Sequence, residues 1–226
     1  MSLPMAFQAS IIAIGALVVQ FALNNLGAVS VAAYTAAQKI DTIAIQPMMS
    51  VGITMATYTA QNYGAKKYER IKEGVRKCIL ISVTFSITVE ITNILAGNFL
   101  TAIFVGFDQK EVISVSQTYL TSNGIFYFVL SLLFIYRYTI QGLGQSFIPT
   151  VAGIMELLMR TFAAIMLSKP FGFLGVSLSN PLAWFGACIP LACAYYISIK
   201  KINQKQLEKE HFIDENDMSA CSYTNK

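Results

Sequence analysis

Apolar stretches of about twenty residues or more recur along the chain with short polar breaks between them, and a helix needs about twenty such residues to cross a bilayer. The pattern predicts six spans, at residues 4–23, 29–58, 78–100, 119–140, 147–167 and 176–199. The breaks are "NNLGAVS", "QNYGAKKYERIKEGVRK", "GFDQKE", "QGLGQS" and "SKPFGFLG". Runs such as "ASIIAIGALVVQFAL" do not alternate apolar with polar residues. A barrel strand would alternate over about ten positions, so helices are expected. The fold class is therefore an all-α integral membrane bundle of six transmembrane helices over residues 1–201, followed by a polar cytoplasmic tail over residues 202–226, helical at first and then disordered. The opening "MSLPMAFQASIIAIG" has no basic stretch ahead of its apolar run and reads as a first span, not a removable signal peptide.

Composition sharpens this picture. Hydrophobic residues make up 55% of the chain and charged residues 12%, against about 25% charged in soluble domains. So few charges cannot cover a soluble globule of this size. The placement of lysine and arginine sets orientation, because cytoplasmic loops carry the excess. One side takes Lys66, Lys67, Arg70, Lys72, Arg76, Lys77, Arg137, Lys200, Lys201, Lys205, Lys209 and Lys226, and the other takes Lys110 and Lys169. With six spans both termini fall on the same side, the cytoplasmic one, and the expected location is a plasma membrane, the bacterial inner membrane. The loop at residues 66–77 is then a solvated, orientation-setting segment with some contact to anionic lipid.

Polar residues inside the spans carry the candidate chemistry. A charge at the centre of a membrane helix costs about 2.5–3.5 kcal/mol on insertion scales, so it needs a partner or a wet cavity. Thr35, Lys39, Thr42, Gln46 and Ser50 recur at helical spacing and form one stripe of the second span, widened by Gln38 and Asp41. Lys39 and Asp41 are two residues apart and do not face each other. Pro47 removes a backbone hydrogen bond and is expected to kink the span. The third span has a stripe of Ser82, Ser86, Glu90, Asn93 and Gly97, and the fourth has Asn123, Tyr127, Ser131 and Tyr138. In the fifth, Glu156 and Arg160 form an i,i+4 pair. Four helices with one polar face each describe a bundle around a polar interior. The competing reading is that stripes of Ser, Thr and Asn only hold membrane helices together, and that Glu156 with Arg160 is a structural pair. Lone charges such as Lys39, Asp41 and Glu90 favour function, because their insertion cost is larger. Trp184, Tyr195 and Tyr196 read as packing residues or interfacial anchors.

Several chemistries are excluded. The four cysteines, Cys78, Cys188, Cys193 and Cys221, form no CxxC pair, and the single histidine is His211 in the tail. No metal site and no cofactor are expected, and no catalytic residue is assigned. There is no HExxH, no GxSxG and no phosphate-binding loop. Nucleic acid is not an expected partner, since only short segments are basic.

Some stretches resemble a known family. "LPMAFQASIIAIG", "NLGAVSVAAYTAAQKID", "IQPMMSVGITMATYTAQNYGA" and "YRYTIQGLGQSFIP" together resemble the multidrug and toxic compound extrusion (MATE) transporters in bacterial form. The similarity is strongest from Leu3 to Pro149 and weaker to Lys201. The family's fold is two six-helix lobes related by a two-fold axis along the membrane normal, and this chain is similar to the C-terminal lobe. The resemblance implies a secondary antiporter that expels small organic, often cationic, compounds in exchange for protons or sodium. The implied partners are the bilayer and the N-terminal lobe of the same transporter or a second chain. One branch of the family places coupling carboxylates in the first and fourth helices of this lobe. This chain has Gln8 in the first and Asn123 with Tyr127 in the fourth, and no acid in either. Asp41 and Glu90 are thus coupling candidates on their own chemistry, not by resemblance. Lys39, Asp41 and Gln46 would line the cleft between lobes, with Pro47 bending the helix. A protonatable Asp41, desolvated as the cleft closes, would couple to protons. Two alternatives stay open: a truncated or split membrane module without transport of its own, and a lipid-linked sugar flippase, which would need a strongly cationic cavity where only Lys39 and Arg160 are candidates.

Overall fold

A computed structural model describes residues 2–224, and the side chains of residues 10–204 except residue 12. Seven helices follow one another: α1 (Ser2–Asn24), α2 (Ala28–Gly64), α3 (Tyr68–Val105), α4 (Lys110–Gly124), α5 (Tyr127–Gly142), α6 (Phe147–Ser177) and α7 (Ser179–Thr224). No strand occurs among the described residues.

The span expected at residues 119–140 is two helices. α4 and α5 meet at an angle of 50° across Ile125 and Phe126. Three helices are long and apolar enough to cross a membrane, namely α3, α6 and the Ser179–Gln204 part of α7, and the bent α4–α5 pair makes a fourth. α2 falls short of that standard because its polar stripe dilutes its apolar content. Within α1 only Ala13–Asn24 enters the comparison, as a shorter apolar helix. At about 1.5 Å per residue, the 38 residues of α3 reach about 57 Å. That is far more than a hydrocarbon core needs, so its charged first turns extend beyond it. There Lys72 pairs with Glu69 and Lys77 with Glu73 at the surface, where such pairs add little stability. The expected boundary at residues 201–202 is crossed by continuous helix, since α7 runs on to Thr224.

The turns follow from local geometry. α2 and α5 each end in a pair of backbone bonds that caps the last carbonyls. At α2 the amide of Lys66 bonds to the carbonyl of Tyr63, and Lys67 to Asn62; at α5, Gly144 bonds to Gln141 and Gln145 to Ile140. This double bond requires a left-handed residue, for which glycine is suited. Gly144 supplies it at α5 with φ 82°, but Lys66 supplies it at α2 with φ 59°. A side chain in that region costs about 1–2 kcal/mol. Lys66→Gly is therefore expected to raise the melting temperature of the purified protein, and an unchanged or lower value would show that the turn is unstrained. The "SKPFGFLG" turn sits inside α6 as a break at Gly172, with φ 55° and ψ −128°.

Packing divides the interior in two. α2 lies against α3, α4 and α5, while α6 lies against α1 and α7, and α5 also contacts α7. One apolar core gathers Met48, Met55, Ile71, Tyr127, Leu133, Ile140, Trp184 and Leu191. The other gathers Val19, Leu23, Ile40, Tyr119, Leu120 and Val176. α2 borders both, with Ile40 in the second and Ala44 in the first. Asp41 lies between these two positions. Large apolar side chains such as Leu17, Phe21, Leu80, Leu95, Phe99, Phe162 and Ile189 are exposed, as a lipid-facing surface requires.

Candidate functional site

The site begins with the two sides of α2. Thr35, Gln38, Lys39, Thr42, Gln46, Pro47 and Ser50 are all exposed, so the polar stripe faces out of the bundle. Its hydroxyls satisfy themselves. Thr35 donates to the Val31 carbonyl at 2.8 Å, Thr42 to Gln38 at 2.8 Å and Ser50 to Gln46 at 2.9 Å. The Lys39 ammonium lies 5.5 Å from the centre of the Phe104 ring, a distance at which cation–π attraction operates. The stripe is thus a polar strip on an otherwise apolar exterior.

Asp41, expected to widen that stripe, is instead on the inner side of α2 and 4% exposed. Two residues advance a helix by about 200°, which separates it from Lys39. Each of its oxygens accepts one hydrogen bond. The Tyr119 hydroxyl of α4 donates to Oδ2 at 3.0 Å, and the Tyr127 hydroxyl of α5 donates to Oδ1. Asn180 of α7 donates to the Tyr119 hydroxyl at 3.0 Å. The Tyr34 ring meets Tyr119 edge-on at 5.1 Å. Buried carboxylates need such donors, and here α4 and α5 supply them, with α7 supporting Tyr119.

Glu90 is placed differently. Both its carboxyl oxygens are buried and neither has a hydrogen-bond partner among the described residues. They press against Gly124, where a Cβ atom would collide with them. The rest of the α3 stripe packs inward: Ser82, Ser86 and Asn93 are buried, and the Ser86 and Ser131 hydroxyls bond at 2.7 Å. Gln117 donates to the Asn93 carbonyl at 3.0 Å. Asn123 donates to the carbonyls of Tyr119 and Ser177 at 3.1 and 3.3 Å, which ties α4 to the end of α6.

Glu156 and Arg160 make the expected pair at 2.9 Å, but a third member joins it. Arg137 of α5 reaches the other Glu156 oxygen at 2.7 Å. Arg137 was expected among the charges outside the membrane. It is 7% exposed inside the bundle and does not set orientation. Glu156 thus bridges two arginines. The void beside it, lined by Gly15, Gly153 and Leu157, is about 10 Å³ and holds one water at most. Gln8 lies outside the residues whose side chains are described.

The structure therefore joins Asp41 with Tyr127, and Glu156 with Arg160, and leaves Lys39 and Gln46 on the outer face. Sequence reasoning missed Tyr119, Asn180, Tyr34 and the inward Arg137. Tyr119 was within reach, since it lies one turn before Asn123 in the same stripe. Asn180 had no periodic signal, because it sits in the first turn of α7.

Comparisons bear on this arrangement. The family model described as MatE matches residues 4–166. Solved structures share the fold. An outward-facing multidrug resistance MATE family transporter of the MOP superfamily is 17% identical with a TM-score of 0.79, over 88% of this chain and 44% of its own. A MATE crystallised in complex with MaL6 is 15% identical with a TM-score of 0.80, over 89% and 46%. A MOP superfamily transporter from Pyrococcus furiosus is 17% identical with a TM-score of 0.79, over 88% and 44%. This chain spans less than half the length of each. No curated protein matches it.

Proposed function

Because the chain belongs to the MatE family, we propose that it is one lobe, the C-terminal one, of a secondary multidrug efflux antiporter in a bacterial inner membrane. Its substrates are small organic, often cationic, compounds, and protons or sodium ions drive the exchange. Both termini lie in the cytoplasm. It works by transport between two lobes and not by catalysis.

The observation that carries this reading is the outward polar strip of α2. Lipid has no use for Thr35, Gln38, Lys39, Thr42, Gln46 and Ser50 along the length of one helix, and burying such groups in hydrocarbon is costly. A cleft against a second six-helix lobe gives them water and substrate. A small-molecule site needs a few polar groups among apolar walls. The match to less than half of a solved multidrug resistance transporter fits the same arrangement.

The test is efflux of a fluorescent organic cation from drug-sensitive cells. One strain expresses this chain alone, and a second co-expresses it with a family N-terminal lobe, with expression verified in both. Efflux only in the second strain is the expected result. Efflux from the chain alone would mean two copies build the cleft. No efflux in either, with several dyes and lobes, favours a membrane module without transport of its own.

A further inference from the structure

Two basic residues, Lys110 and Lys169, lie toward the end of the bundle opposite the loop at residues 66–77. α3 runs from that loop to Val105, and α4 starts beyond it at Lys110. α1 ends on the same side, and Lys169 of α6 shares a groove with Asn25, the residue after α1. A lysine at a membrane edge needs no special setting, because its stem can carry the ammonium to water. Yet each of these two lines a groove, and the two grooves are built alike.

The first groove, of about 750 Å³, lies between α3, α4 and α6. Lys110 and Ser114 of α4 line it with Asn98 of α3, beside the apolar Ile113, Ile125 and Leu174. The second, of about 440 Å³, lies between α1 and α6. Lys169 and Ser168 of α6 line it with Asn25, beside Phe21, Leu26 and Ile165. Each groove thus sets an ammonium, a serine hydroxyl and an asparagine amide next to large apolar side chains. The order along the helices is the same too. Ile165 lies one turn before Lys169, and Phe21 one turn before Asn25, so the apolar residue is the one nearer the bilayer centre. α4 runs the other way, and there Ile113 and Ile125 follow Lys110 inward. Neither lysine joins any ion pair among the described residues. Asp108 and Glu111 flank Lys110 in sequence but line neither groove.

We propose that each groove holds an anionic phospholipid, with its headgroup on Lys110 or Lys169 and an acyl chain along the apolar side chains. An unpaired ammonium attracts a headgroup of net negative charge, and basic pockets between membrane helices select lipids in this way. In phosphatidylcholine the choline cation offsets the phosphate, so the same lysine gains little from it. The serine hydroxyl and the asparagine amide supply hydrogen bonds for phosphate and glycerol oxygens. Those groups would be costly against hydrocarbon alone. The occupant is lipid because both grooves open on the apolar exterior, where Phe21, Ile125, Ile165 and Leu174 are exposed. The face offered to a second lobe is the strip of α2, and α2 lines neither groove. α6 takes part in both, on either side of its break at Gly172. A lipid therefore bridges α3 and α4 to α6 in one groove, and α1 to α6 in the other. The inference concerns the bilayer and not the exchanged compound, so it stands apart from the efflux reading.

The test is quenching of tryptophan fluorescence by brominated lipid, with the purified chain in vesicles of phosphatidylglycerol and phosphatidylcholine. Trp184, the single tryptophan, is changed to phenylalanine. One new tryptophan is placed by Ile113→Trp, by Ile165→Trp or by Leu95→Trp, the last an exposed position that lines neither groove. Quenching is compared between vesicles in which only one of the two lipids is brominated. The preference for phosphatidylglycerol at residues 113 and 165 is expected to exceed that at residue 95 about fivefold, the equivalent of ~1 kcal/mol for one lysine beside an anionic headgroup. Lys110→Gln should remove the preference at residue 113 and leave it at residue 165, and Lys169→Gln should do the reverse. Where Trp184→Phe does not fold, mass spectrometry of retained lipid carries the test. The parent should keep phosphatidylglycerol through purification, and Lys110→Gln with Lys169→Gln should lose it. Equal preference at all three positions, or equal retention by parent and variant, overturns the proposal. A preference that survives the lysine changes overturns it as well. Quenching at residue 95 but by neither lipid at residues 113 and 165 would show that protein covers the grooves, and also overturns it.

Discussion

Glu156→Ala is expected to destabilise the purified protein by at least about 3 kcal/mol, the lower end of the cost of removing one partner from a buried ion pair. Two guanidinium groups depend on this one carboxylate, Arg137 at 2.7 Å and Arg160 at 2.9 Å, and all three residues lie inside the bundle. Without Glu156 the two arginines would share the interior with no counter-charge among the described residues. Among the described residues the Nε atoms of both already lack partners, and the void beside them is only about 10 Å³. Removing an arginine is a different matter. Arg160→Ala leaves Arg137 paired with Glu156, and Arg137→Ala leaves the i,i+4 pair within α6. Each should cost less than Glu156→Ala. Glu156→Gln keeps the shape and one acceptor, and should fall between. Chemical unfolding in detergent, followed by tryptophan fluorescence from Trp184, measures the order. If Glu156→Ala unfolds at the same denaturant concentration as the parent, the arginines are hydrated in solution and the triad does not hold α5 to α6.

The arginine triad also shows where sequence reading reaches its limit. Glu156 and Arg160 are four residues apart, so helical spacing alone puts them together. Arg137 is 19 residues from Glu156 on another helix, and no local period connects them. Its position at the end of an apolar run made it look like a loop charge, because charge counting is blind to direction. Asp41 was misjudged for a related reason. The stripe from Thr35 to Ser50 was legible and lies on one exposed face, but the residue between its members points the opposite way, and only tertiary contacts show what it meets. The helices themselves were legible from apolar run length, and the resemblance carried by "LPMAFQASIIAIG" and the later stretches agrees with the MatE match over residues 4–166. The bend at Ile125–Phe126 was not legible. It has no proline or left-handed residue to mark it, only the bond from the Phe126 amide to the Asn123 carbonyl and the Ser122 and Asn123 side chains on the Tyr119 carbonyl. Pro47, expected to kink its span, lies inside α2, which is one helix from Ala28 to Gly64.

Gly142→Ala is expected to be a damaging single-methyl addition at the contact of α5 with α2. A Cβ atom at residue 142 would lie 2.5 Å from the carbonyl oxygen of Ala56 and 2.8 Å from Cβ of Thr59. Both neighbours belong to α2, and the nearer is backbone, so relief requires moving the helix and not turning a side chain. Membrane helices use small residues to approach this closely, and overpacking such a contact typically costs about 1–3 kcal/mol. Two other glycines calibrate the result. At Gly64, near the end of the same helix, an added Cβ meets nothing within 4 Å, so Gly64→Ala should melt at or above the parent temperature. At Gly124 the obstacle is the end of the Glu90 side chain, which can swing away, so Gly124→Ala should cost less than Gly142→Ala. The displacement matters because α2 carries Lys39, Thr42 and Gln46 on its outer face. In the proposed two-lobe complex, pushing α2 away from α5 moves that strip toward the second lobe. In a complex that transports dye, Gly142→Ala should therefore reduce efflux even where enough folded protein remains. A melting temperature unchanged by Gly142→Ala would mean that α2 and α5 do not cross so closely at this level. The polar strip would then have no fixed support from α5.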